Sequence, residues 1–311
     1  MNDIGETNNG RAASAGGTSD LLIAQITDLH LGFDRTIGTG PNVLRLRKVI
    51  KALNRLRRRP DLLLVTGDLV ESGEHWAYAL LKGEMRRAQF PVHYGLGNHD
   101  SRDVFASVFE DVRFTDGYLQ YAVEDHPLRI VMIDSMEPGR HGGAFCEDRA
   151  RWLDDTLSAR PDTPTLLALH HPPIRTGIGW MTASDDAPWV ERLRGVIARH
   201  PQVRHIIAGH IHCHIQKTFA GVPISVSRAV APSVKLELDP IDPATPDGRA
   251  MIVDDSPGYS LHWWDGQSVT TYSQIASDGR TLVSYTEDYA FIPAMTMDLE
   301  DGQAKVEPDS L

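Results

Sequence analysis

Short, nearly continuous apolar runs alternate with amphipathic stretches through the first three-quarters of the chain. Residues 21–27, 62–65, 128–133, 165–169 and 203–208 are almost wholly apolar. Each is far too short for a membrane span, which needs about 20 apolar residues. Runs of this length fit strands buried on both faces, as in a sheet covered by helices. Residues 91–96, 118–123 and 222–226 read as further strands, with a turn at Asp125-His126-Pro127 joining 118–123 to 128–133. Between the strands the period lengthens. After Pro41 and Asn42, the residues Val43, Leu46, Val49, Ile50, Leu53 and Leu56 recur at helical spacing until Pro60. The other face of this helix carries Arg45, Arg47, Lys48, Lys51, Arg55, Arg57, Arg58 and Arg59. Such a face is either solvated or anion-binding. Residues 73–88, 147–159 and 189–200 also read as helices, the second turning Trp152, Leu153 and Leu157 inward. Strand–helix–strand alternation predicts an α/β chain built from βαβ units.

The apolar runs share a way of ending. Asp28-Leu29-His30 follows the first, Gly67-Asp68 the second and Gly97-Asn98-His99-Asp100 the third. His170-His171-Pro172-Pro173 and Gly209-His210-Ile211-His212 follow two later runs, and Asp134-Ser135 another. A strand ending in Gly-Asp turns sharply at the glycine and delivers its carboxylate to the sheet edge where open α/β sheets place ligands. Taken singly, each of these residues is as readily a turn former or a buried, hydrogen-bonded His. Taken together, five strand ends present carboxylate, amide and imidazole groups with no thiolate, a set that suits a first-row transition metal and fits calcium poorly. His210 and His212 alternate along an extended segment and so face one side. There are more donors than one ion needs. Two ions roughly 3.5–4 Å apart, bridged by a carboxylate, would use them all.

These five blocks, in this order over residues 21–226, resemble the calcineurin-like metallophosphoesterases. The His-His-Pro-Pro segment resembles in particular the bacterial class III cyclic-nucleotide phosphodiesterases and the related glycerophosphodiesterases. The resemblance implies a four-layer α/β/β/α sandwich of two mixed sheets flanked by helices, and a phosphoric diester hydrolase. It implies that Asp28, His30 and His212 hold one divalent ion, that Asp68 bridges, and that Asn98, His170 and His210 hold the second. His170 is chosen over His171 for its place at the strand end, and His171 stays the alternative. His99 is implied as a phosphate contact that helps the leaving oxygen depart. The ions are iron, manganese, zinc or cobalt, which the ligands do not distinguish. The chemistry agrees with the residues: a water shared by two divalent ions has its pKa drawn from 15.7 towards ~7 and can attack phosphorus in line. An imidazole is suited to protonating the leaving alkoxide near neutral pH. The chain departs from many relatives after the His-His-Pro-Pro block, carrying Trp180-Met181-Thr182 where they have Met-Asp. That segment is expected to overhang the site, with Trp180 either stacking on a base or filling an apolar gap. His141 and His214 are near enough to the blocks to line the pocket, or to be surface residues.

Composition narrows the substrate. The net charge is −11, which argues against a long nucleic acid as partner without choosing among small phosphodiesters; the resemblance implies cyclic nucleotides first, and glycerophosphodiesters or a broad range of organophosphate esters second. A non-catalytic scaffold of the same fold would be expected to have lost ligands, and none is missing. The two cysteines, Cys146 and Cys213, form no disulfide framework and fit a reducing cytoplasm. Residues 1–20 are small and polar, without the apolar region of a secretory signal, and read as a disordered leader. Residues 21–238 form the expected catalytic domain. Residues 239–311 read as a C-terminal β extension: a Pro-rich stretch, then short strands around Asp265-Gly266 and Asp278-Gly279. Trp263 and Trp264 would face opposite sides of a strand, one towards the core and one towards a partner. The resemblance implies that such an extension caps the site or pairs copies of the chain as a homodimer or higher homo-oligomer.

Overall fold

In the computed structural model, residues 20–35, 38–277, 279–289, 291 and 293 are described. The expected leader, apart from Asp20, and the polar tail from residue 294 lie outside them. The chain divides into two compact units, Met1–Ala276 and Ser277–Leu311. The second contains a 3₁₀ turn, Glu287–Tyr289, and exposed Leu282, Val283 and Tyr285.

The first unit is a sandwich of two sheets. Strands β1 (Leu21–Ile26), β2 (Leu62–Thr66) and β3 (Val92–Gly95) run parallel, linked by helices α1 (Pro41–Asn54) and α2 (His75–Met85). After α3 (Arg102–Val108) the chain enters the second sheet through the hairpin β4 (Tyr121–Val123) and β5 (Arg129–Ile133). Helix α4 (Glu147–Ser158), β6 (Thr165–Leu169), α5 (Pro188–Ile197) and β7 (Val203–Ala208) follow, with β5, β6 and β7 parallel. Strands β8 (Ile215–Phe219) and β9 (Val222–Val226) complete that sheet, in the order β4-β5-β6-β7-β9-β8. A two-stranded ribbon, β10 (Ser233–Val234) with β11 (Ile252–Val253), precedes the last hairpin, β12 (Gly258–Trp264) and β13 (Val269–Ile275).

Three apolar layers hold the stack together. Val43, Leu46, Val49, Ile50 and Leu53 of α1 are buried with Tyr78 and Leu81 of α2 and Phe105 of α3 against the outer face of the first sheet. Leu153 and Leu157 of α4 and Val190, Leu193 and Ile197 of α5 cover the second sheet. Ile23, Leu62, Leu64, Ile130, Met132, Leu166, Ile207 and Trp264 fill the space between the sheets. The expected α/β/β/α layering is therefore present, and the doubly buried strands explain the apolar runs.

Several readings need correction. Helix α1 ends at Asn54, not at Pro60, because the apolar stripe ends with Leu53 and half-buried Leu56. Its basic face is neither wholly solvated nor a free anion site: Arg45 holds the Val230 and Ala231 carbonyls, Arg47 holds Glu84, and Arg58 pairs with Asp20. Past residue 239 the chain returns to the first sheet. Strand β12 pairs antiparallel with β1, from Leu21↔Trp264 to Gln25↔Ser260, so the first sheet reads β13-β12-β1-β2-β3. This pairing covers the β1 edge, which would otherwise expose unpaired backbone groups. Trp264 is buried between the sheets while Trp263 reaches Asp20 of the same chain. The hairpin at Asp265-Gly266 forms, but residues 279–285 are not strand and Asp278 lies outside the described residues.

A polar ladder interrupts the inter-sheet layer. Gln25 donates to Thr66 Oγ1 (2.8 Å) and the Ala208 carbonyl (3.0 Å), and its Oε1 accepts from His262 Nε2 (3.0 Å). His262 Nδ1 then accepts from Thr271 Oγ1 (2.8 Å), and His205 Nε2 lies 3.0 Å from Ser225 Oγ. Burial lowers the His205 pKa to about 4 and that of His262 well below its ordinary value. A His with a depressed folded pKa contributes stability that is full above its unfolded value of about 6.5 and is lost as pH falls through 4. His205 alone contributes a loss on the order of 2–3 kcal/mol between pH 7 and 4.5, at 1.36 kcal/mol per pKa unit. Unfolding free energies from urea titrations at those two pH values should show a drop about that much smaller in His205→Asn than in the unsubstituted chain. An equal drop in both would show that His205 does not carry the acid sensitivity.

Candidate metal centre

The carboxyl ends of β1, β2, β3, β6 and β7 meet at one edge of the sandwich. Five residues just past these ends adopt left-handed backbone: Asp28 (φ 53°), Asp68 (φ 48°), His30 (φ 45°), His210 (φ 72°) and His212 (φ 56°). Among the described residues only three other non-glycine positions do so. Left-handed backbone costs a side-chain-bearing residue roughly 1–2 kcal/mol, and such strain clusters where function needs a fixed geometry. Two glycines leave room for the cluster. A Cβ on Gly67 (φ 99°) would lie 2.4 Å from His170 Nδ1, and one on Gly97 2.3 Å from Asp68 Oδ1.

The donors converge. Asp28, His30 and His212 form one group of mutually close donor atoms; Asp28, Asp68 and His170 a second; His30, Asp68 and His99 a third; His170, His171 and His210 a fourth. Within each, the donor atoms lie within 4.8 Å of one another. His212 Nε2 is 3.3 Å from Asp28 Oδ1, His30 Nε2 is 3.2 Å from His212 Nε2 and 3.6 Å from Asp68 Oδ2, and His170 Nε2 is 3.2 Å from Asp68 Oδ2.

The imidazoles are held from behind. His30 Nδ1 donates to Glu71 Oε2 (2.7 Å), His170 Nδ1 to the Thr66 carbonyl (2.8 Å) and His212 Nδ1 to the Pro232 carbonyl (2.7 Å). A carboxylate or carbonyl oxygen only accepts, so each Nδ1 carries a proton and each Nε2 faces inward. This is how metal-binding His residues are oriented by their outer partners. His170 Nε2 is buried without a hydrogen bond, a deficit that native interiors rarely tolerate without an ion or water. His171 differs: Ser135 Oγ and Asn98 Oδ1 occupy its two nitrogens, at 2.9 and 3.2 Å.

The field inside is negative. Asp28 and Asp68 are buried together, at 0 % and 2 % exposure. Burial opposes a charged His170, yet Asp68 and Asp28 outweigh it and raise its pKa to about 9. Burial likewise works against Asp28, but His212 and His170 hold it down to about 2. His210 goes the other way, lowered to about 3 by burial and by the neighbouring His170 charge. Two buried carboxylates ringed by inward-facing imidazole nitrogens draw in cations, and the oxygen and nitrogen donors fit divalent transition metals.

All the predicted site residues lie at this edge. His99 donates its backbone N–H to Asp68 Oδ1 (2.9 Å) and holds the Glu71 carbonyl through Nδ1 (2.9 Å), which leaves Nε2 free. Asn98 reaches the cluster through His171 and through His141, whose Nδ1 is 3.2 Å from Asn98 Nδ2. His141 does line the pocket, its ring centroid 4.8 Å from that of His210. His214 is not among the residues that line it. Asp134 is spent on Arg102. Glu71 was not foreseen, for nothing in the sequence around it marks it. Asp100 proves structural, accepting from the Leu69 and Gly97 amides and the Tyr78 hydroxyl. An open cavity of about 920 Å³ adjoins His171 and His210, lined also by Arg140, Trp180, Met181 and Trp189. The expected overhang is real: Met181 Sδ is 3.4 Å from His141 Nε2.

Residues 21–214 match the calcineurin-like phosphoesterase family. The chain belongs to that family. The phosphoesterase is 30 % identical over 258 residues to a probable glycerophosphodiester phosphodiesterase of Arcobacter nitrofigilis, covering 81 % of this chain and 92 % of that one. It is 34 % identical over 265 residues to a probable cyclic nucleotide phosphodiesterase of Synechococcus, covering 82 % and 97 %. A dimetal phosphatase from Danio rerio shares the fold at a TM-score of 0.54 and 16 % identity, over 83 % of this phosphoesterase and 99 % of that chain. The family and fold implied by the five blocks are thus borne out. No helix among the described residues of the phosphoesterase is long and apolar enough to cross a membrane.

Proposed function

We propose that this phosphoesterase is a dinuclear metal-dependent phosphodiesterase acting on small phosphodiesters, with 3′,5′-cyclic nucleotides the leading substrates. The observation that carries the reading is the ring of inward Nε2 atoms around two buried carboxylates, with His170 Nε2 buried 3.2 Å from Asp68 and making no hydrogen bond. Asp28, His30 and His212 would hold one ion and Asn98, His170 and His210 the other, with Asp68 shared. His170 is preferred to His171 because its donor atom groups with those of Asp28 and Asp68, as that of His171 does not. Divalent ions there would supply Lewis acidity and a nucleophilic water at neutral pH. Glu71, Thr66 and Pro232 keep the ligands aimed, so little reorganisation accompanies the reaction. His99 sits at the half-exposed rim with Nε2 free, suited to contact the phosphate and pass a proton to the leaving oxygen.

The glycerophosphodiester reading stands second, supported by the Arcobacter relative. A manganese-loaded panel of cyclic AMP, glycerophosphocholine and an aryl diester separates them: cyclic AMP should have the highest kcat/KM. Preference for glycerophosphocholine would reverse the order, and no turnover on any diester would remove the phosphodiesterase. Free Cys146 and Cys213 favour a reducing cytoplasm. Pairing of two copies belongs to the same proposal, supported by exposed Leu236, Leu238, Met251 and Ile252 in and beside the β10–β11 ribbon. Light scattering should give twice the chain mass, and a monomeric mass would exclude it.

A further inference from the structure

We propose that the cavity beside the metal centre receives the heterocyclic base of a nucleoside phosphodiester, with Trp180 and Arg140 setting the preference for it. The proposal rests on the phosphodiesterase reading and names the part of the substrate that lies away from phosphorus. At about 920 Å³ the cavity is near the upper end of the roughly 300–1,000 Å³ common for small-molecule sites. It opens onto His171, His210 and His141, so a diester with its phosphate among the metal-site residues has its organic group beside Trp180 and Trp189.

Tryptophan faces accept two kinds of group: flat heterocycles by stacking and quaternary ammonium cations by cation–π attraction. The charges on the wall choose between them. Both carboxylates that line the cavity are already paired, Glu137 with Arg149 at 3.5 Å and Glu147 with Arg192 at 2.6 Å. Arg140 lines it too, and its guanidinium has no partner among the described residues. The cavity therefore offers one uncommitted cation and no uncommitted anion. That disfavours a choline head group and favours a neutral base, whose ring nitrogens and carbonyls accept hydrogen bonds from a guanidinium. Trp180 is also held in place. It is half-buried against the apolar layer that covers the second sheet, and Leu238 and Ile241 close against Gly177 and Gly179 in its own loop. A ring held this way loses little freedom when a base stacks on it.

The test compares the full-length protein with Trp180→Leu, Trp180→Phe and Arg140→Glu. One readout is the ratio of kcat/KM for cyclic AMP to that for glycerophosphocholine, with manganese. The other is the affinity of metal-free protein for AMP, followed by tryptophan quenching. Trp180→Leu should lower the ratio roughly 5- to 50-fold, mainly through KM, and weaken AMP binding in parallel. Trp180→Phe should restore most of both, and Arg140→Glu should shift the ratio towards the choline ester. An unchanged ratio and unchanged AMP affinity in Trp180→Leu and Arg140→Glu would overturn the base site while leaving diester hydrolysis intact. Trp180-dependent AMP binding without turnover of any diester would instead uphold the base site and remove the phosphodiesterase reading.

Discussion

Asp68→Asn should lower kcat on any diester by roughly 10³-fold or more and reduce the metal bound per chain. Removing one preorganised electrostatic element commonly costs 10²–10³-fold in kcat, and Asp68 stands in two of the donor groups at once. Asparagine is the informative replacement. It keeps the shape and the oxygen that accepts the His99 amide at 2.9 Å, so the loop past β2 retains its anchor. What it removes is the charge that sits 3.2 Å from His170 Nε2 and 3.6 Å from His30 Nε2. Unaltered circular dichroism alongside lost turnover would assign the effect to that charge. Full turnover would remove Asp68 from the chemistry.

His99→Ala should cost about 10²–10⁴-fold in kcat, the range of general acid catalysis, but only when the leaving group is a basic alkoxide. The ring is 30 % exposed and its Nδ1 is tied to the Glu71 carbonyl, so its loss leaves the core and the buried donors in place. A weakly basic aryloxide leaves without a proton, and the aryl diester should therefore lose much less. Measuring kcat for cyclic AMP and for the aryl diester in the same variant decides this. Equal losses would make His99 a phosphate contact rather than a proton donor.

The site was more legible in the sequence than the sheet that carries it. Asp28, Asp68, Asn98, His170 and His210 each follow an apolar run, so their meeting at one edge needs only parallel strands. The tethers behind them were hidden, since Glu71 and the Thr66 and Pro232 carbonyls touch the imidazoles only after folding. Strand β8 was unreadable because Gln216, Lys217 and Thr218 face solvent on an edge strand and break the apolar signal. The place of β12 was equally hidden. Its partner β1 lies more than 230 residues earlier, and hairpin signals report only the local pairing with β13. Helix α3 is a single short element whose buried residues, Phe105 and Val108, are too few to show a period.

Elemental analysis of protein repleted with manganese or iron and then freed of loose metal tests the central claim most directly. Two ions per chain are expected, falling to one or none in Asp68→Asn. A repleted, folded chain that retains no metal would contradict a paired-ion centre at this edge.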